Sequence, residues 1–229
     1  KNEELLKLQK IIPKDINTYY DPFCGNMGLA LYILREELAK ELHVSDNCKE
    51  LVDLYFIITY KLDDFLKSYD SVTDRTKIDF YKVRKRFNET ENIIEKSLTF
   101  LMLNKMVNGI LSLKDGKCIQ GRGRHMVNWK LTREKIIKTN EELKNKKMLM
   151  YQKHFTNVID NNEIKKDDFI YFDINYILSS EELKQIRQIC EDVECKWIIK
   201  VNGCLSEEDV SYLKEDYYYK DNMFIMNYQ

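Results

Sequence analysis

The sequence is poor in the residues that usually interrupt or crosslink a chain. It has two prolines and seven glycines, and its six cysteines include no Cys-x-x-Cys pair and no histidine at ligand spacing. Free thiols in a reducing, intracellular compartment are therefore the prediction, rather than disulfides or a zinc site. The scarcity of proline beside abundant Lys, Asn, Ile and Tyr suggests an AT-rich genome, whose codon bias alone can remove prolines.

Net charge and long apolar runs are also missing. Lys and Arg number 37 against 38 Asp and Glu, so any surface that binds a polyanion must be a local patch. The longest apolar stretches are too short or too charged to span a bilayer, and no signal peptide is visible, so no membrane partner is expected. With 229 residues, of which 44% are hydrophobic, the chain can form one large domain or a core domain with an insertion.

The first fifty residues have the pattern of a βαβ unit. A strand predicted over 18–23 is followed by a glycine turn at 24–28, an amphipathic helix over 29–41 and a short strand that ends in Asp46. Strand, glycine turn, helix, strand and acid is the physical plan of a nucleotide-like cofactor site. The glycine turn alone is a weak signal and is equally compatible with a plain turn.

The most informative segment is 168–176. An acid, an apolar run rich in aromatic residues, and then Asp173-x-x-Tyr176 predict a buried parallel strand that presents a carboxylate and a phenol at its carboxyl end. Ligands of open α/β sheets bind at that edge. Taken alone, Asp-x-x-Tyr is more often a plain strand end than a catalytic pair.

The remaining pattern predicts a parallel α/β core that carries an insertion. Helices are predicted over 3–12, 49–69, 77–87, 91–107, 131–151, 180–193 and 206–215, and further strands over 154–159, 169–174, 196–201 and 223–228. Residues 110–120 predict a β-hairpin with an Asp115-Gly116 turn, extended by a basic arm over 121–125. The predicted domains are a core over 1–55 and 151–229 and an insertion over 56–150.

Separate segments along the chain, in this order, carry a family resemblance. They are Asp-Pro-Phe-Cys-Gly-Asn-Met-Gly at 21–28, Ser-Asp-Asn at 45–47, Leu-Asn-Lys-Met-Val-Asn-Gly at 103–109, Lys-Cys-Ile-Gln-Gly-Arg at 117–122, Asp-Ile-Asn-Tyr at 173–176 and Phe-Ile-Met-Asn-Tyr at 224–228. Together they resemble the D12 class of adenine-N6 DNA methyltransferases, the Dam family, over nearly the whole chain. In that family the catalytic segment is Asp-Pro-Pro-Tyr.

The resemblance implies a class I methyltransferase (Rossmann-like) α/β sheet with helices on both faces, and a helical and β-hairpin insertion for target recognition. It implies S-adenosylmethionine as cofactor, with these binding residues: Asp21, Phe23, Gly25, Gly28, Asp46, Phe155 and Asp173. It assigns catalysis to the Asp173 carboxylate and the Ile174 carbonyl, which accept hydrogen bonds from adenine N6, and to Tyr176, which stacks on the flipped base.

Double-stranded DNA is the implied partner. Positive charge concentrates on the predicted hairpin and arm of an otherwise neutral protein, and the candidate DNA contacts are Asn108, Lys114, Lys117, Arg122, Arg124 and His125. Without the resemblance, a solvated loop would explain these charged residues equally well. Ser112 stands where close relatives of the GATC-specific enzymes carry arginine, so GATC specificity is not expected.

Departures from the family pattern keep other functions open. The catalytic segment lacks both prolines, the glycine spacing is Gly-x-x-Gly, and only three residues separate Tyr176 from the next predicted helix. One alternative is a catalytically degenerate relative that still binds DNA, or that supports an active protein partner or forms a dimer. Another is a methyltransferase for RNA or another amine. The retained Asp173 and Tyr176 favour activity.

Overall fold

The computed structural model describes residues 2–73, 78–107, 111–123, 129–144, 148–159, 163–174, 176–201, 203–221 and 223–228. The chain forms two compact units. We call Lys1–Asn47 with Lys146–Gln229 the sheet unit, and Cys48–Asn145 the inserted unit. The boundaries predicted at 55/56 and 150/151 fall inside a helix and a strand, so the inserted unit begins and ends earlier than the sequence indicated.

The helices and strands follow one another in this order: α1 (Asn2–Leu8), β1 (Ile16–Asp21), α2 (Gly28–Arg35), β2 (Ala39–Asp46), α3 (Lys49–Tyr60), α4 (Leu62–Thr73), α5 (Phe80–Glu89), α6 (Ile93–Met106), β3 (Leu113–Lys114), β4 (Lys117–Cys118), α7 (Trp129–Lys144), β5 (Met148–Gln152), β6 (Phe169–Phe172), α8 (Ser180–Asp192), β7 (Lys196–Lys200), α9 (Glu207–Lys214), β8 (Tyr218–Lys220) and β9 (Phe224–Met226). Among the described residues, no helix is long and apolar enough to cross a membrane.

The sheet unit is built on seven strands in the order β5-β2-β1-β6-β7-β9-β8. The first five are parallel, β9 is antiparallel to both of its neighbours, and helices cover both faces. The predicted mostly parallel α/β sheet is thereby confirmed. Along the chain, β2 pairs with one side of β1 and β6 later pairs with the other side. The strand order therefore reverses between β1 and β6, and in open α/β sheets ligands bind at the carboxyl ends of the strands that flank such a point.

The central strands are buried on both faces, which explains their continuous apolar character. All four residues of β6 are buried, and so are the last four of β1. On one side of the sheet these strands share a core with α8 that includes Ile186, Trp197 and Ile225. α8 begins with a capping box in which Ser179 and Glu182 satisfy each other's backbone N–H groups, so its start is fixed next to the end of β6.

Several predicted elements differ from the structure. The helix predicted over 29–41 ends at Arg35, and β2 already begins at Ala39. The helix predicted over 131–151 ends at Lys144, because Met148–Gln152 pairs as β5 with the edge of β2. The strand predicted over 154–159 is wrong: Phe155–Asn157 is a 3₁₀ turn. The helix predicted over 49–69 is two helices that meet at Lys61, whose φ of −134° is not helical.

The inserted unit has its own core, to which α3, α4, α5, α6 and α7 contribute. Its largest fully buried side chains include Phe65, Tyr69 and Phe87. The predicted hairpin is present as β3 and β4, with Asp115 at φ 50° and Gly116 at φ 68°. Positive φ at both central residues is what a two-residue hairpin turn requires, so the Asp-Gly signal predicted it correctly.

Candidate functional site

The carboxyl ends of the central strands carry acids on both sides of the reversal point. Asp21 is the last residue of β1, and Asp173 directly follows β6. Asp46 is the last residue of β2, the next strand outward. Because the strands are parallel, the predicted acids Asp21, Asp46 and Asp173 lie along one edge of the sheet. The structure thus brings together the acids of the two separate sequence segments.

The glycine loop after β1 is bonded to the end of β2. Cys24 donates its N–H to the Ser45 carbonyl oxygen (2.8 Å), and Gly25 donates its N–H to Asp46 Oδ2 (3.2 Å). Gly25 has φ 46°, a left-handed conformation that glycine adopts without steric cost. Asp46 is buried, so its contact with Gly25 helps to hold the loop in place.

Asp21 is a buried acid with an incomplete set of hydrogen bonds. Its side chain is 2% exposed, and Oδ2 accepts a hydrogen bond from the Tyr19 hydroxyl (2.9 Å). Among the described residues Oδ1 has no hydrogen-bond partner. Burial raises the pKa of Asp21 to about 8; the Tyr19 hydroxyl and, more weakly, the Phe23 backbone oppose this rise, and the nearby Asp173 adds to it. Without a ligand this carboxyl is therefore mainly protonated at neutral pH. A cationic ligand group would supply the missing partner and favour the ionised form.

Asp173 is held by an ion pair that the sequence analysis did not predict. Lys200, the last residue of β7, places its ammonium nitrogen 3.1 Å from Asp173 Oδ1 and 3.3 Å from Oδ2. The same nitrogen lies 2.6 Å from Glu4 Oε1 on α1. Because Phe172 pairs with Ile199 in parallel register, the residues that follow them, Asp173 and Lys200, are neighbours at the same edge.

Aromatic side chains form one wall beside these acids. The Phe23 ring is 5.3 Å from Phe155 and 5.8 Å from Tyr176 between centroids, the latter in an edge-on arrangement. The Tyr176 hydroxyl donates a hydrogen bond to Glu182 Oε1 (3.0 Å). Burial, and then Glu182, raise the pKa of Tyr176, so the phenol stays protonated. The ring of the predicted stacking residue is therefore fixed by two independent contacts.

Two predicted site residues are less accessible than the sequence suggested. Phe155 lies on the 3₁₀ turn rather than on a strand, and its side chain is 1% exposed. The Ile174 side chain is also buried, in the core of the sheet unit, which anchors the backbone directly after Asp173. Asn175, between Ile174 and Tyr176, lies outside the described residues.

The hairpin of the inserted unit presents three of the predicted DNA contacts. Lys114 and Lys117 face each other in register across β3 and β4, and both are exposed, as is Arg122. Like charges directly opposite each other destabilise a hairpin, so this pair favours an anionic partner. The other predicted DNA contacts, Asn108, Arg124 and His125, lie outside the described residues.

Polar side chains of α5 and α6 hold this hairpin. Asn88 bonds both backbone groups of Cys118, accepting from its N–H (2.7 Å) and donating to its carbonyl oxygen (3.2 Å). Arg84 donates to the Gln120 carbonyl oxygen (2.7 Å), and Lys96 donates to the Gly116 carbonyl oxygen (2.8 Å). The short hairpin is therefore positioned by its own unit, and its lysines project from a defined backbone.

Sequence reasoning missed Lys200, Glu4, Glu182 and the three residues that hold the hairpin. One of them left a signal: Lys200 is a cation at the end of the apolar run Trp197-Ile198-Ile199, on the strand after Asp173. A charge at the carboxyl end of a buried parallel strand is a site candidate by the same argument that selected Asp173. Asn88 and Lys96 left no comparable signal, since a polar residue on a helix is usually solvated.

A comparison with known families supports the fold. No curated protein sequence matches the chain. The family model described as D12 class N6 adenine-specific DNA methyltransferase matches residues 1–186, which is most of the chain. The mostly parallel sheet with helices on both sides is consistent with the class I methyltransferase fold that the resemblance implied. The chain therefore belongs to the D12 class N6 adenine-specific DNA methyltransferase family.

Proposed function

We propose that this protein transfers a methyl group from S-adenosylmethionine to the exocyclic N6 of adenine in duplex DNA. Family membership implies this general activity. The observation that carries the proposal is the Asp173 carboxylate, which follows β6 at the reversal point of the sheet and whose side chain is 34% exposed. An acid in that place can accept a hydrogen bond from a ligand that enters at the sheet edge.

The cofactor end of the proposed site is formed by the loop after β1. Asp21 has a buried oxygen that lacks a partner among the described residues, which suits the ammonium group of S-adenosylmethionine. Gly25 has a left-handed backbone conformation. Gly28 donates its N–H to Asn26 Oδ1 (3.1 Å), so the loop turns tightly between the two glycines. Asp46 at the end of β2 stands where an acid can accept from ribose hydroxyl groups.

The chemical problem of the reaction is the weak nucleophilicity of the adenine amine, whose lone pair is delocalised into the ring. Bound S-adenosylmethionine supplies the methyl group on a sulfonium, so the S–CH3 bond breaks as the N–CH3 bond forms and one N6 proton is released. In this proposal the Asp173 carboxylate, which follows β6, and the Ile174 carbonyl accept hydrogen bonds from the amine and so localise its lone pair. Placement errors of about 1 Å cost roughly 10²-fold in rate.

The base-binding side of the site is assigned to Tyr176. A target adenine must leave the duplex before it can reach Asp173, and an aromatic ring at the mouth can stack on it. Contacts with Phe23 and Glu182 restrict the motion of the Tyr176 ring before DNA arrives. A preset ring loses less conformational entropy when the base binds.

Labelled methyl transfer tests the proposal directly. The protein is incubated with S-adenosylmethionine labelled on the methyl group and with duplex DNA of mixed sequence, and the nucleosides are then separated. We expect label in N6-methyladenine, and Asp173→Ala should abolish it, while the cofactor still binds through its other predicted contacts, which include Asp21 and Asp46. Label on cytosine or on RNA would assign another substrate. Cofactor and DNA binding without any transfer would indicate a degenerate relative that binds DNA.

A second experiment tests the proposed DNA contacts. Replacing both Lys114 and Lys117 with Ala should weaken duplex binding and reduce the slope of log K against log salt by about 0.9 for each phosphate contact that is lost. The matched control replaces Lys67 and Lys138, two exposed lysines on helices of the same unit. Equal losses in the two double variants would contradict the assignment of DNA binding to the hairpin.

A further inference from the structure

Lys200 occupies an unusual position for a lysine. It ends a strand whose three preceding residues are buried, and its own side chain is 16% exposed. Its ammonium contacts both Asp173 oxygens and Glu4 Oε1, at distances of 2.6 to 3.3 Å. A partly buried ammonium is unfavourable unless it is paired, so its position depends on these two carboxylates.

The charge state of Lys200 limits what it can do. Burial by itself would lower the pKa of Lys200, but Glu4 and Asp173 outweigh burial and raise it above its usual range. The side chain therefore remains an ammonium at neutral pH and does not serve as a base. Contact with an ammonium favours the charged form of a carboxyl group, which is the form that only accepts hydrogen bonds.

Asp173 requires such a partner because its side chain lies past the end of a strand. The regular pairing of β6 ends at Phe172, and the Asp173 side chain is about one-third exposed. The buried Ile174 side chain holds the backbone on one side, but it does not determine the rotamer of Asp173. An ammonium that bridges both carboxylate oxygens does restrict that rotamer.

We propose that Lys200 is a positioning residue for methyl transfer: anchored by Glu4, it orients the ionised Asp173 carboxylate toward the target amine. The inference rests on the proposed function. Each carboxylate oxygen can accept more than one hydrogen bond, so contact with Lys200 leaves acceptor capacity for the substrate. One ammonium between two carboxylates also leaves a net negative charge, which suits a site for a cationic methyl donor.

Kinetics of the full chain with S-adenosylmethionine and duplex DNA test this role. Lys200→Met should lower kcat by roughly 10- to 100-fold, the size expected for a misplaced acceptor, with little change in cofactor affinity. Lys200→Arg keeps the charge and the donors and should recover part of kcat. Lys196→Met is the matched control, because Lys196 is an exposed lysine at the other end of the same strand, and it should behave as wild type.

Glu4→Gln is a second variant that tests the same proposal if Lys200→Met does not fold. It keeps Lys200 and Asp173 and removes only the anchor, so kcat should fall less than in Lys200→Met. Unchanged or higher kcat in Lys200→Met overturns the proposal. If Lys200→Met does not fold, unchanged kcat in Glu4→Gln overturns it instead.

A measurement without turnover separates this inference from the proposed function. Titration of the Lys200 ammonium by NMR should show a lower pKa in Asp173→Asn than in wild type, because one of its two carboxylate partners is gone. An unchanged titration overturns the ion pair itself. If the titration is as expected but the wild type transfers no methyl group, the ion pair is supported. That result overturns the proposed function and, with it, the positioning role of Lys200.

Discussion

Replacing Asp21 with Asn should change the pH dependence of stability in a defined direction. In the folded chain burial raises the pKa of Asp21 from 3.8 to about 8, with the Tyr19 hydroxyl opposing and Asp173 adding to the rise. Between these values the folded state keeps a proton that the unfolded chain releases. The contribution of Asp21 to the free energy of unfolding therefore falls as pH rises from about 4 to about 8, and it is constant above that.

The size of the effect follows from the gap between the two pKa values. At about 1.4 kcal/mol per pKa unit, the contribution of Asp21 to the free energy of unfolding is lower than at acid pH by about 4 kcal/mol at pH 7 and by up to roughly 6 kcal/mol above pH 8. Asn cannot ionise, and its carbonyl can still accept from Tyr19. Its buried NH2 group costs about 1–3 kcal/mol if it finds no acceptor. The variant should thus be the less stable protein near pH 4 and the more stable one near pH 8.

Urea unfolding of the cofactor-free protein across this pH range measures the difference. The free energy of unfolding of Asp21→Asn minus that of wild type should increase with pH by up to about 1.4 kcal/mol per unit and then level off. Asp168→Asn is the matched control, because Asp168 is also buried but accepts the backbone N–H groups of Thr18 (2.9 Å) and Lys165 (2.7 Å). It should destabilise the protein. Parallel pH curves for wild type and Asp21→Asn would refute the reasoning.

The inserted unit supports two further predictions. Gly123→Ala should weaken duplex binding, since its Cβ would stand 2.3 Å from Phe80 Cδ2 and displace the basic arm, whereas Gly121→Ala, with open space around its Cβ, should bind as wild type. Equal affinities in a binding titration would show that the arm tolerates the shift. Asn88→Ala should lower the free energy of unfolding by about 1–3 kcal/mol, because both backbone groups of Cys118 lose their partner; an unchanged urea midpoint would contradict this.

The parts of the fold that the sequence predicted correctly are those written in local patterns. Residues 169–172 form a strand because an uninterrupted apolar run suits burial on both faces of a parallel sheet. The Asp115-Gly116 turn was predictable because few residues accept positive φ. The start of α8 was also predictable from a local pattern, because Ser179 and Glu182 have the spacing of a capping box.

The elements that were predicted wrongly depend on distant partners. Met148–Gln152 continues a helical pattern, yet it forms β5 because β2 offers an unpaired edge, with Leu42 opposite Met148. The pattern over 154–159 suits a strand, but it is a 3₁₀ turn. In β5 tertiary context overrides local propensity, which carries no information on which strand lies alongside.

The residues of the candidate site also fall into two groups, those that local patterns predict and those that depend on distant partners. Asp46 and Asp173 were predictable because a local pattern places each at or just after the carboxyl end of a strand, whereas Asp21 was predicted through the family resemblance. The pairing of Lys200 with Glu4 joins a late strand to the first helix, and no spacing rule connects them. The orphaned oxygen of Asp21 depends on packing around β1, which a sequence does not show.

The position of the inserted unit affects the order in which the protein can fold during synthesis. β1 and β2 leave the ribosome early, but β5, which closes one side of that pair, and β6, which closes the other, follow only after the whole inserted unit. Synthesis proceeds at about 5–20 residues per second, so the pair of β1 and β2 has two unpaired edges for several seconds or longer. Open edges of this kind promote aggregation. The inserted unit has its own core and can fold in that interval, which would shorten the loop between β2 and β5.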